Sequence, residues 1–311
     1  MQLANSLDNL ALQADTVLAI GTFDGVHLGH RYLLEQLVRH ARETGRESAV
    51  LSFYPHPRLV LRPEARPACL STPSERAIAL ESLAIDLLVV LPFTLALANT
   101  PAETFIGELV SKLRMRELWV GAGFALGRGR EGDVAHLTQL GVQLGYTLHV
   151  MEPLYDGGEP VSSTRIRALV HQGDVTEAGR LLGRPYAISG PVVPGHQRGR
   201  TLGFRTANLR LNPERAIPAN GVYAVRVRVN GEQHHGVANL GVRPSFGETD
   251  RLLEVHLLDY VGDLYGENVT VEFVQRLRPE LTFETPEALA EQIGRDVERA
   301  RAVLGDPKVS A

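Results

Sequence analysis

Hydrophobic and polar positions follow one pattern before about residue 185 and another after it. In the first part, short apolar runs alternate with segments whose apolar residues recur at helical spacing. The runs predict buried strands at Val17 to Ile20, Ser48 to Phe53, Asp86 to Leu91, Glu117 to Val120 and Thr147 to Met151. Strands that alternate with helices indicate a parallel, doubly wound sheet, which binds ligands at the carboxyl ends of its strands.

Two helix starts in this part carry strong local signals. The segments Thr72-Pro73-Ser74-Glu75 and Thr100-Pro101-Ala102-Glu103 each combine an N-cap threonine, a first-turn proline and a glutamate suited to a capping box. We therefore expect Thr72 and Thr100 to cap two helices of the α/β part.

After Gly183-Arg184-Pro185 the period of the pattern becomes two. Valines alternate with arginines from Val222 to Val229, and Asn230-Gly231 then predicts a tight hairpin turn. Further strands are predicted at Gly236 to Leu240, Leu252 to Leu258 and Thr270 to Val274, before a final helix from Thr285-Pro286 through Leu304. Short antiparallel strands with one closing helix favour a small β-barrel. We expect one domain at 1–184, ending in a helical connector at 163–182, and a second at 185–311.

Composition excludes several classes of protein. The chain has 311 residues, 44% of them hydrophobic, and a net charge of −4, which disfavours a nucleic-acid partner. No apolar run is long enough for a membrane span, and an acidic N-terminal segment argues against a secretory signal. The single cysteine, Cys69, fits the reducing cytoplasm. Since Lys112 and Lys308 are the only lysines, arginine or backbone N–H groups must supply most phosphate contacts.

The most informative segment is Gly21 to His30, which has the sequence GTFDGVHLGH. It joins a predicted strand to a predicted helix, and small residues at such a turn let backbone N–H groups approach a phosphate. His27 and His30 would then lie beside a polyphosphate. A lone histidine is more often a cap or a core residue, and a metal ligand is another alternative. The phosphate interpretation gains support from a second segment, Val161 to Arg167, where hydroxyls begin a helix and an arginine follows.

With these two segments the chain resembles the HxGH nucleotidylyltransferases, whose second signature is SSTxxR. Together with Phe53-Tyr54-Pro55-His56-Pro57, the string from Gly21 to His30 is similar to prokaryotic FAD synthetase. The resemblance implies a Rossmann-like domain that transfers AMP from ATP to FMN and releases pyrophosphate. It implies that His27 and His30 stabilise the charge of the transition state, and that ATP is bound by Gly21, Phe23, Gly29, Ser163, Thr164 and Arg167.

The second half resembles riboflavin kinase. The resemblance rests on the glycine-rich stretch from Gly195 to Asn208, on Ala238 to Phe246, on Glu254 and on Leu264 to Gly266. It implies a six-stranded Greek-key barrel that phosphorylates the 5′-hydroxyl of riboflavin. Implied roles are Mg²⁺ and ATP-phosphate binding by Thr206 and Asn208, ATP binding by Gly199 and Gly203, and proton acceptance by Glu254. Without the resemblance, Glu254 could equally be a solvated residue on the strand face that it shares with Leu252, His256 and Leu258.

The chain departs from the two families at three positions. Gly123 stands where an Asp or Asn is usual, Tyr54 where an acid is common, and Arg205 where a proline is expected before Thr206. The resemblance as a whole implies a bifunctional enzyme that makes FMN and then FAD, with riboflavin, FMN, FAD and ATP as partners and Mg²⁺ as cofactor. Two alternatives stay open: a monofunctional riboflavin kinase with a weakened adenylyltransferase domain, and a flavin-binding regulator. The oligomeric state is also open.

Overall fold

The computed structural model describes residues 1–8, 10–65, 68–193, 206–245, 248–262 and 264–305. These residues form two compact units, Met1–Ser163 and Thr164–Ala311. Among the helices of the described residues, none combines the length and the hydrophobicity that crossing a bilayer requires.

The first unit is built on a six-stranded parallel sheet, which confirms the predicted doubly wound class. Two short pairs of strands, Ala125–Leu126 with Gly132–Asp133 and Tyr155–Asp156 with Glu159–Pro160, lie outside this sheet. In chain order the strands are β1 (Gln2–Ala4), β2 (Thr16–Ile20), β3 (Glu47–Tyr54), β4 (Leu87–Pro92), β5 (Met115–Gly121), β6 (Ala125–Leu126), β7 (Gly132–Asp133), β8 (Thr147–Met151), β9 (Tyr155–Asp156) and β10 (Glu159–Pro160). The sheet order is β1-β4-β3-β2-β5-β8.

Helices cover both faces of this sheet. They are α1 (Leu28–Glu43), α2 (Pro57–Leu61), α3 (Pro73–Glu81), α4 (Leu95–Ala98), α5 (Ala102–Lys112) and α6 (Val134–Leu144). One core cluster joins the sheet to α5 and α6, and a second joins it to α1 and α3. Each fully buried leucine, isoleucine or phenylalanine contributes about 1.5–3 kcal/mol. The buried side of α1 carries Leu34, Leu37, Val38 and Ala41, and that of α5 carries Phe105, Ile106 and Leu109, at helical spacing.

The two predicted caps have different outcomes. Thr72 caps α3 with a complete capping box, in which its side chain accepts from the Glu75 N–H and Glu75 accepts from the Thr72 N–H. The prediction for Thr100 is wrong, because Pro101 is the N-cap of α5 and its side chain makes no capping bond. The Thr100 hydroxyl instead donates to the Ala96 carbonyl at 3.2 Å, and Glu131 accepts the Ala102 N–H at 2.9 Å. A distant carboxylate has taken over the capping role.

The second unit is a closed antiparallel barrel with flanking helices. Its elements are α7 (Ser163–Gln172, whose first residue ends the first unit), α8 (Val175–Leu182), β11 (Tyr186–Val193), β12 (Ala207–Leu209), β13 (Gly221–Val229), β14 (Glu232–Ser245), β15 (Glu248–Leu257), β16 (Asn268–Arg278) and α9 (Pro286–Leu304). The barrel order is β11-β12-β15-β14-β13-β16. Since β16 returns to lie beside β13, the run β16-β13-β14-β15 is a Greek key, and the predicted barrel with its closing helix is confirmed.

The boundary between the two compact units falls between Ser163 and Thr164, earlier in the sequence than the boundary expected near residue 185. Helix α8 packs on the barrel, and Thr176 Oγ1 donates to the Val274 carbonyl of β16 at 3.1 Å. The helices of the expected connector therefore cluster with the second unit.

Inward and outward residues alternate along the barrel strands. Tyr223, Val225 and Phe273 fill the interior, whereas Val222 and Ala224 pack against Ala300 and Leu304 of α9 on the outside. A buried ion pair fixes α9: the Arg278 guanidinium donates from Nε and Nη2 to the Asp296 carboxylate at 2.8–3.1 Å. The helix therefore covers one part of the outer barrel face.

Candidate active sites in the two units

The loop after β2 lies at the point where the strand order of the sheet reverses. From β2 the chain moves outward through β3 to β4, and then returns with β5 to the other side of β2. Loops at such a switch point form the ligand-binding crevice of doubly wound sheets. The segment Gly21 to His27 is the loop that leaves β2 here, and α1 begins directly after it.

The backbone of this loop is strained. Phe23 and Val26 have positive φ values of 46° and 42°, and Gly25 between them has φ 82°. Positive φ is disfavoured for a β-branched residue, and such conformations cost about 1–3 kcal/mol each. They persist only where surrounding contacts hold them, and they occur mostly at functional sites.

Asp24 supplies these contacts. Its carboxylate is buried and accepts the N–H groups of Leu70 and Ser71 at 2.9–3.0 Å. The Ser71 hydroxyl in turn accepts the Gly25 N–H at 2.9 Å. Asp24 is therefore an anchor for the loop, a role that the sequence alone did not suggest, because its partners lie 46 and 47 residues away.

His27 and His30 are brought together at the start of α1. His27 is the N-cap, and its Nδ1 accepts the His30 N–H at 3.3 Å. The two rings are stacked, with centroids 3.6 Å apart. A Cβ on Gly29 would lie 3.2 Å from the His27 ring and 3.3 Å from the Val161 carbonyl oxygen, so glycine permits the close packing. Because Nδ1 of His27 is an acceptor, the proton of the neutral ring lies on Nε2.

His30 is held in its neutral form. Its Nδ1 is buried and has no hydrogen-bond partner among the described residues. The Phe23 ring packs against the His30 ring in an edge-on arrangement, with ring centroids 5.2 Å apart. Burial, and the repulsion that a protonated His30 would meet from the Arg76 guanidinium and from any proton on His27, hold the pKa of His30 well below its ordinary value of 6.5. An anion that binds beside this ring would favour its protonated form and so raise its pKa again.

Arg76 of α3 is a further residue of this site. Only 3% of its surface is exposed, and Nη1 donates to Ser52 Oγ at 2.9 Å. Within the described part of the chain, its Nε has no hydrogen-bond partner. Burial lowers the pKa of Arg76, but a guanidinium stays charged in proteins. Sequence reasoning missed this residue; the available signal was an arginine directly after the capping-box Glu75, in the first turn of a helix whose later turns are apolar.

The second predicted signature is divided between two roles. The Ser163 hydroxyl donates to the Asp24 carbonyl at 2.9 Å, so it helps to hold the loop. Thr164 and Arg167 follow on α7 in the second unit, where Arg167 Nη2 donates to Thr164 Oγ1 at 3.3 Å. Phosphate binding by these three residues remains a prediction.

Gly123 follows the carboxyl end of β5, which flanks the switch point. It is exposed, and a Cβ built on it meets no atom of the described structure within 4 Å. The backbone therefore leaves room for the Asp or Asn that the resemblance leads one to expect. Tyr54 at the end of β3 is 45% exposed.

A second polar group lies on the outer face of the barrel. Glu254 of β15 is paired in register with Asn208 of β12 on one side and Asn239 of β14 on the other. Directly opposed residues point to the same side of a sheet, with Cβ atoms about 4.5–5.5 Å apart. Asn239 is also paired with Val222, which faces α9, so this polar row lies on the outside next to the covered region.

The polar row contains a buried oxygen that needs a partner. Asn208 is 5% exposed, and its Oδ1 accepts no hydrogen bond from any described residue. Thr206 lies half-buried just before β12, while Gly199, Gly203 and Arg205 lie outside the described residues. Leu252, Glu254 and His256 are all partly exposed, so this face of β15 is in partial contact with solvent. Leu258 follows the strand and is buried.

The fold and these sites define a class of protein. A doubly wound unit with a paired-histidine loop at its switch point, followed by a barrel with an Asn–Glu–Asn row, is a two-part nucleotide-using transferase. The family model for FAD synthetase matches residues 10–165, and the model for riboflavin kinase matches residues 182–304. The chain belongs to the family of bifunctional riboflavin kinase/FMN adenylyltransferases.

Individual relatives agree over almost the whole chain. The bifunctional riboflavin kinase/FMN adenylyltransferase of Pseudomonas fluorescens is 41% identical, over 97% of this chain and 98% of its own. The enzyme of the same name from Escherichia coli K12 is 39% identical, over 98% of both chains. A solved structure named macrolide-efflux protein, from Streptococcus pneumoniae, has a TM-score of 0.89 at 29% identity, covering 96% of this chain and 98% of that one.

Proposed function

We propose that the barrel transfers a phosphoryl group from ATP to riboflavin, giving FMN and ADP. The doubly wound unit then transfers AMP from a second ATP to FMN, giving FAD and pyrophosphate. The observation that carries this proposal is that one chain matches both family models and aligns over almost its whole length with relatives that are named for both activities. The corresponding enzymatic domains are residues 1–184 and 185–311, and the helices of 163–182 lie mostly between the two family matches.

Adenylyl transfer needs no covalent intermediate, so positioning and charge stabilisation carry the rate. A phosphate oxygen of FMN attacks the α-phosphorus of ATP, and pyrophosphate leaves. His27 donates from Nε2, because the cap bond occupies its Nδ1. The positive charge of the buried Arg76 guanidinium and hydrogen bonding by His30 stabilise the charge that builds up on the phosphates, and Gly21, Phe23 and Gly29 shape the loop and the start of α1. Phosphate oxygens of ATP are also bound by Ser163, Thr164 and Arg167.

Phosphoryl transfer requires the riboflavin hydroxyl to lose a proton as it attacks the γ-phosphorus. Glu254 is the base, and Asn208 and Asn239 flank it in register. The buried Oδ1 of Asn208 fits a Mg²⁺ site, since neutral oxygens suit this ion when phosphates supply the charge. Thr206 and Asn208 would hold the ion, which neutralises the phosphates of ATP. Gly199 and Gly203 belong to the same proposed ATP site. The proposed location in the cytoplasm rests on the single cysteine.

A product assay on the purified full chain tests this function. Riboflavin, ATP and Mg²⁺ are supplied, and ADP and pyrophosphate are measured together with FMN and FAD. Both products support the bifunctional enzyme. ADP and FMN without pyrophosphate and FAD would show that the chain is a monofunctional riboflavin kinase. The missing side chain at Gly123 favours this alternative. Flavin binding with neither product would make the chain a regulator.

A further inference from the structure

A cluster of titratable side chains lies on the first unit at a distance from the histidine loop. It consists of His40 near the end of α1, Glu117 on β5 and His149 on β8, and we name it the back cluster. His40 follows His30 by ten residues on one helix, which corresponds to about 15 Å along the helix axis. Glu117 lies near the amino end of β5, away from the edge at which the proposed ATP site is formed. The back cluster is thus separate from the nucleotide loop.

Three potential metal-binding atoms converge in the back cluster. The Nε2 atoms of His40 and His149 lie 2.8 and 2.7 Å from Glu117 Oε2, and the donor atoms all lie within 4.8 Å of one another. The Glu117 side chain is only 9% exposed, whereas those of His40 and His149 are 31% and 33% exposed. The carboxylate is therefore buried, while the two imidazole side chains are partly exposed.

The contacts around Glu117 do not form a complete hydrogen-bond network. His40 Nε2 bonds to Oε1 at 3.0 Å, and Arg46 also donates to Oε1. Within the described part of the chain, Glu117 Oε2 and His149 Nε2 are buried and have no hydrogen-bond partner, despite their short separation. The two atoms are in ionic contact without the alignment of a hydrogen bond, and Trp119 also interacts with the Glu117 carboxylate.

The surroundings are those of an oriented ligand set. Trp119 stacks on His149 with ring centroids 4.7 Å apart and thereby fixes this imidazole. Arg46 holds Oε1 of the carboxylate and leaves Oε2 for another partner. Carboxylates and imidazoles that bind metals are commonly oriented by outer contacts of this kind.

We propose that His40, Glu117 and His149 form a binding site for a divalent transition metal ion, with Zn²⁺ as the best match. Two imidazoles, one carboxylate and an open fourth position are an established zinc donor set. Bonds of about 2.0–2.2 Å in tetrahedral geometry set donor atoms roughly 3.3–3.5 Å apart. Glu117 Oε2 would therefore move away from each imidazole nitrogen by about half an ångström when the ion enters.

The test measures zinc binding by the untagged full chain after treatment with a chelator, in the absence of nucleotide. Equilibrium dialysis against ZnCl₂ gives the stoichiometry and affinity, and Co²⁺ replaces zinc to report coordination through its visible absorption. The variants are His149→Gln and Glu117→Gln, and His136→Gln is the matched control on the same unit. Circular dichroism verifies that each variant is folded.

We expect the wild type and the control to bind one zinc ion that both back-cluster variants lose. The affinity of this ion falls by more than about 100-fold, the upper end of what loss of an outer contact costs, and the four-coordinate cobalt spectrum disappears. Any zinc that binds at the His27/His30 pair persists in all variants and is told apart in this way. Equal zinc affinity and cobalt spectra in the wild type and in a folded His149→Gln or Glu117→Gln variant would overturn the proposal.

Discussion

The two candidate sites differ in how the chain builds them. In the doubly wound unit, the main residues lie on one continuous segment, Gly21 to His30, whose backbone is forced into positive φ at Phe23 and Val26. In the barrel, Asn208, Glu254 and Asn239 come from three strands and meet through register alone, on extended backbone. The first site therefore depends on anchors that hold a strained loop, whereas the second depends on the closure of the barrel.

The two sites are therefore sensitive to different substitutions. The loop keeps its shape through the buried carboxylate of Asp24, so a substitution behind the site should disturb it. The polar row of the barrel is held by many ladder hydrogen bonds, so its loss requires a change in the row itself. Substitutions can therefore separate the two activities and also separate the two modes of construction.

The largest effect is expected in the barrel from Glu254→Gln. The amide keeps the size of the side chain but cannot accept the proton of riboflavin, so FMN formation should fall by roughly 10²–10⁴-fold. FAD formation from supplied FMN should be unchanged. Initial rates with each flavin measure both, and Glu232→Gln on the exposed end of β14 is the matched control. Normal FMN formation by the Glu254→Gln variant would show that Glu254 is not the base.

The reciprocal change is His30→Ala in the loop. Removal of one group that stabilises transition-state charge costs about 10²–10³-fold, and this loss should appear in FAD formation from FMN. FMN formation from riboflavin should be retained, and His136→Ala serves as the control. If either His30→Ala or Glu254→Gln silenced both reactions in a folded protein, independent sites would be the wrong description.

Asp24→Asn tests the loop anchor. An amide at this position places hydrogen-bond donors against the N–H groups of Leu70 and Ser71, and the loss of buried bonds costs about 1–3 kcal/mol. We expect FAD formation to fall by roughly 5- to 100-fold, corresponding to this free energy, with FMN formation retained. Asp8→Asn, at an exposed aspartate of the same unit, is the control. Full adenylyl transfer in Asp24→Asn would show that the loop holds its shape without this anchor.

Gly123→Asp tests whether the missing side chain limits adenylyl transfer. The site has room for a Cβ, so the substitution should be accepted without steric strain. We expect FAD formation to rise by up to about tenfold, the effect of one additional hydrogen bond of about 1.4 kcal/mol. Gly123→Ala controls for the change in backbone freedom. An Asp variant no faster than the Ala variant would mean that the present site does not depend on this position.

The predictability of the two sites follows their construction. The loop could be predicted because its histidines and glycines are neighbours in sequence, and the start of α9 could be predicted from its N-cap Thr285 and first-turn Pro286. The partners of Asp24 could not be predicted, since Leu70 and Ser71 reach it only after the sheet has formed. The pairing of Glu254 with Asn208 and Asn239 likewise required the register of a closed barrel. The failed cap at Thr100 has the same cause: Glu131, 29 residues beyond Ala102, replaces a local bond.

The smallest expected effect concerns the stability of the loop as a function of pH. The pKa of His30 is held well below 6.5, so in the folded protein this imidazole stays neutral where the unfolded chain begins to bind a proton. The unfolded state then binds more protons, and the stabilising contribution is complete above about pH 6.5 and is lost as the pH falls toward the folded-state pKa. The loss is about 1.4 kcal/mol for each unit by which the two pKa values differ.

Urea unfolding of the wild type and His30→Asn at pH 7.5, 6.5 and 5.5 measures this contribution as the difference between their pH dependences. The wild type should lose more stability than the variant between pH 6.5 and 5.5, whereas exposed His171→Asn, on the second unit, should follow the wild type. Parallel curves for the wild type and His30→Asn would mean that His30 titrates normally.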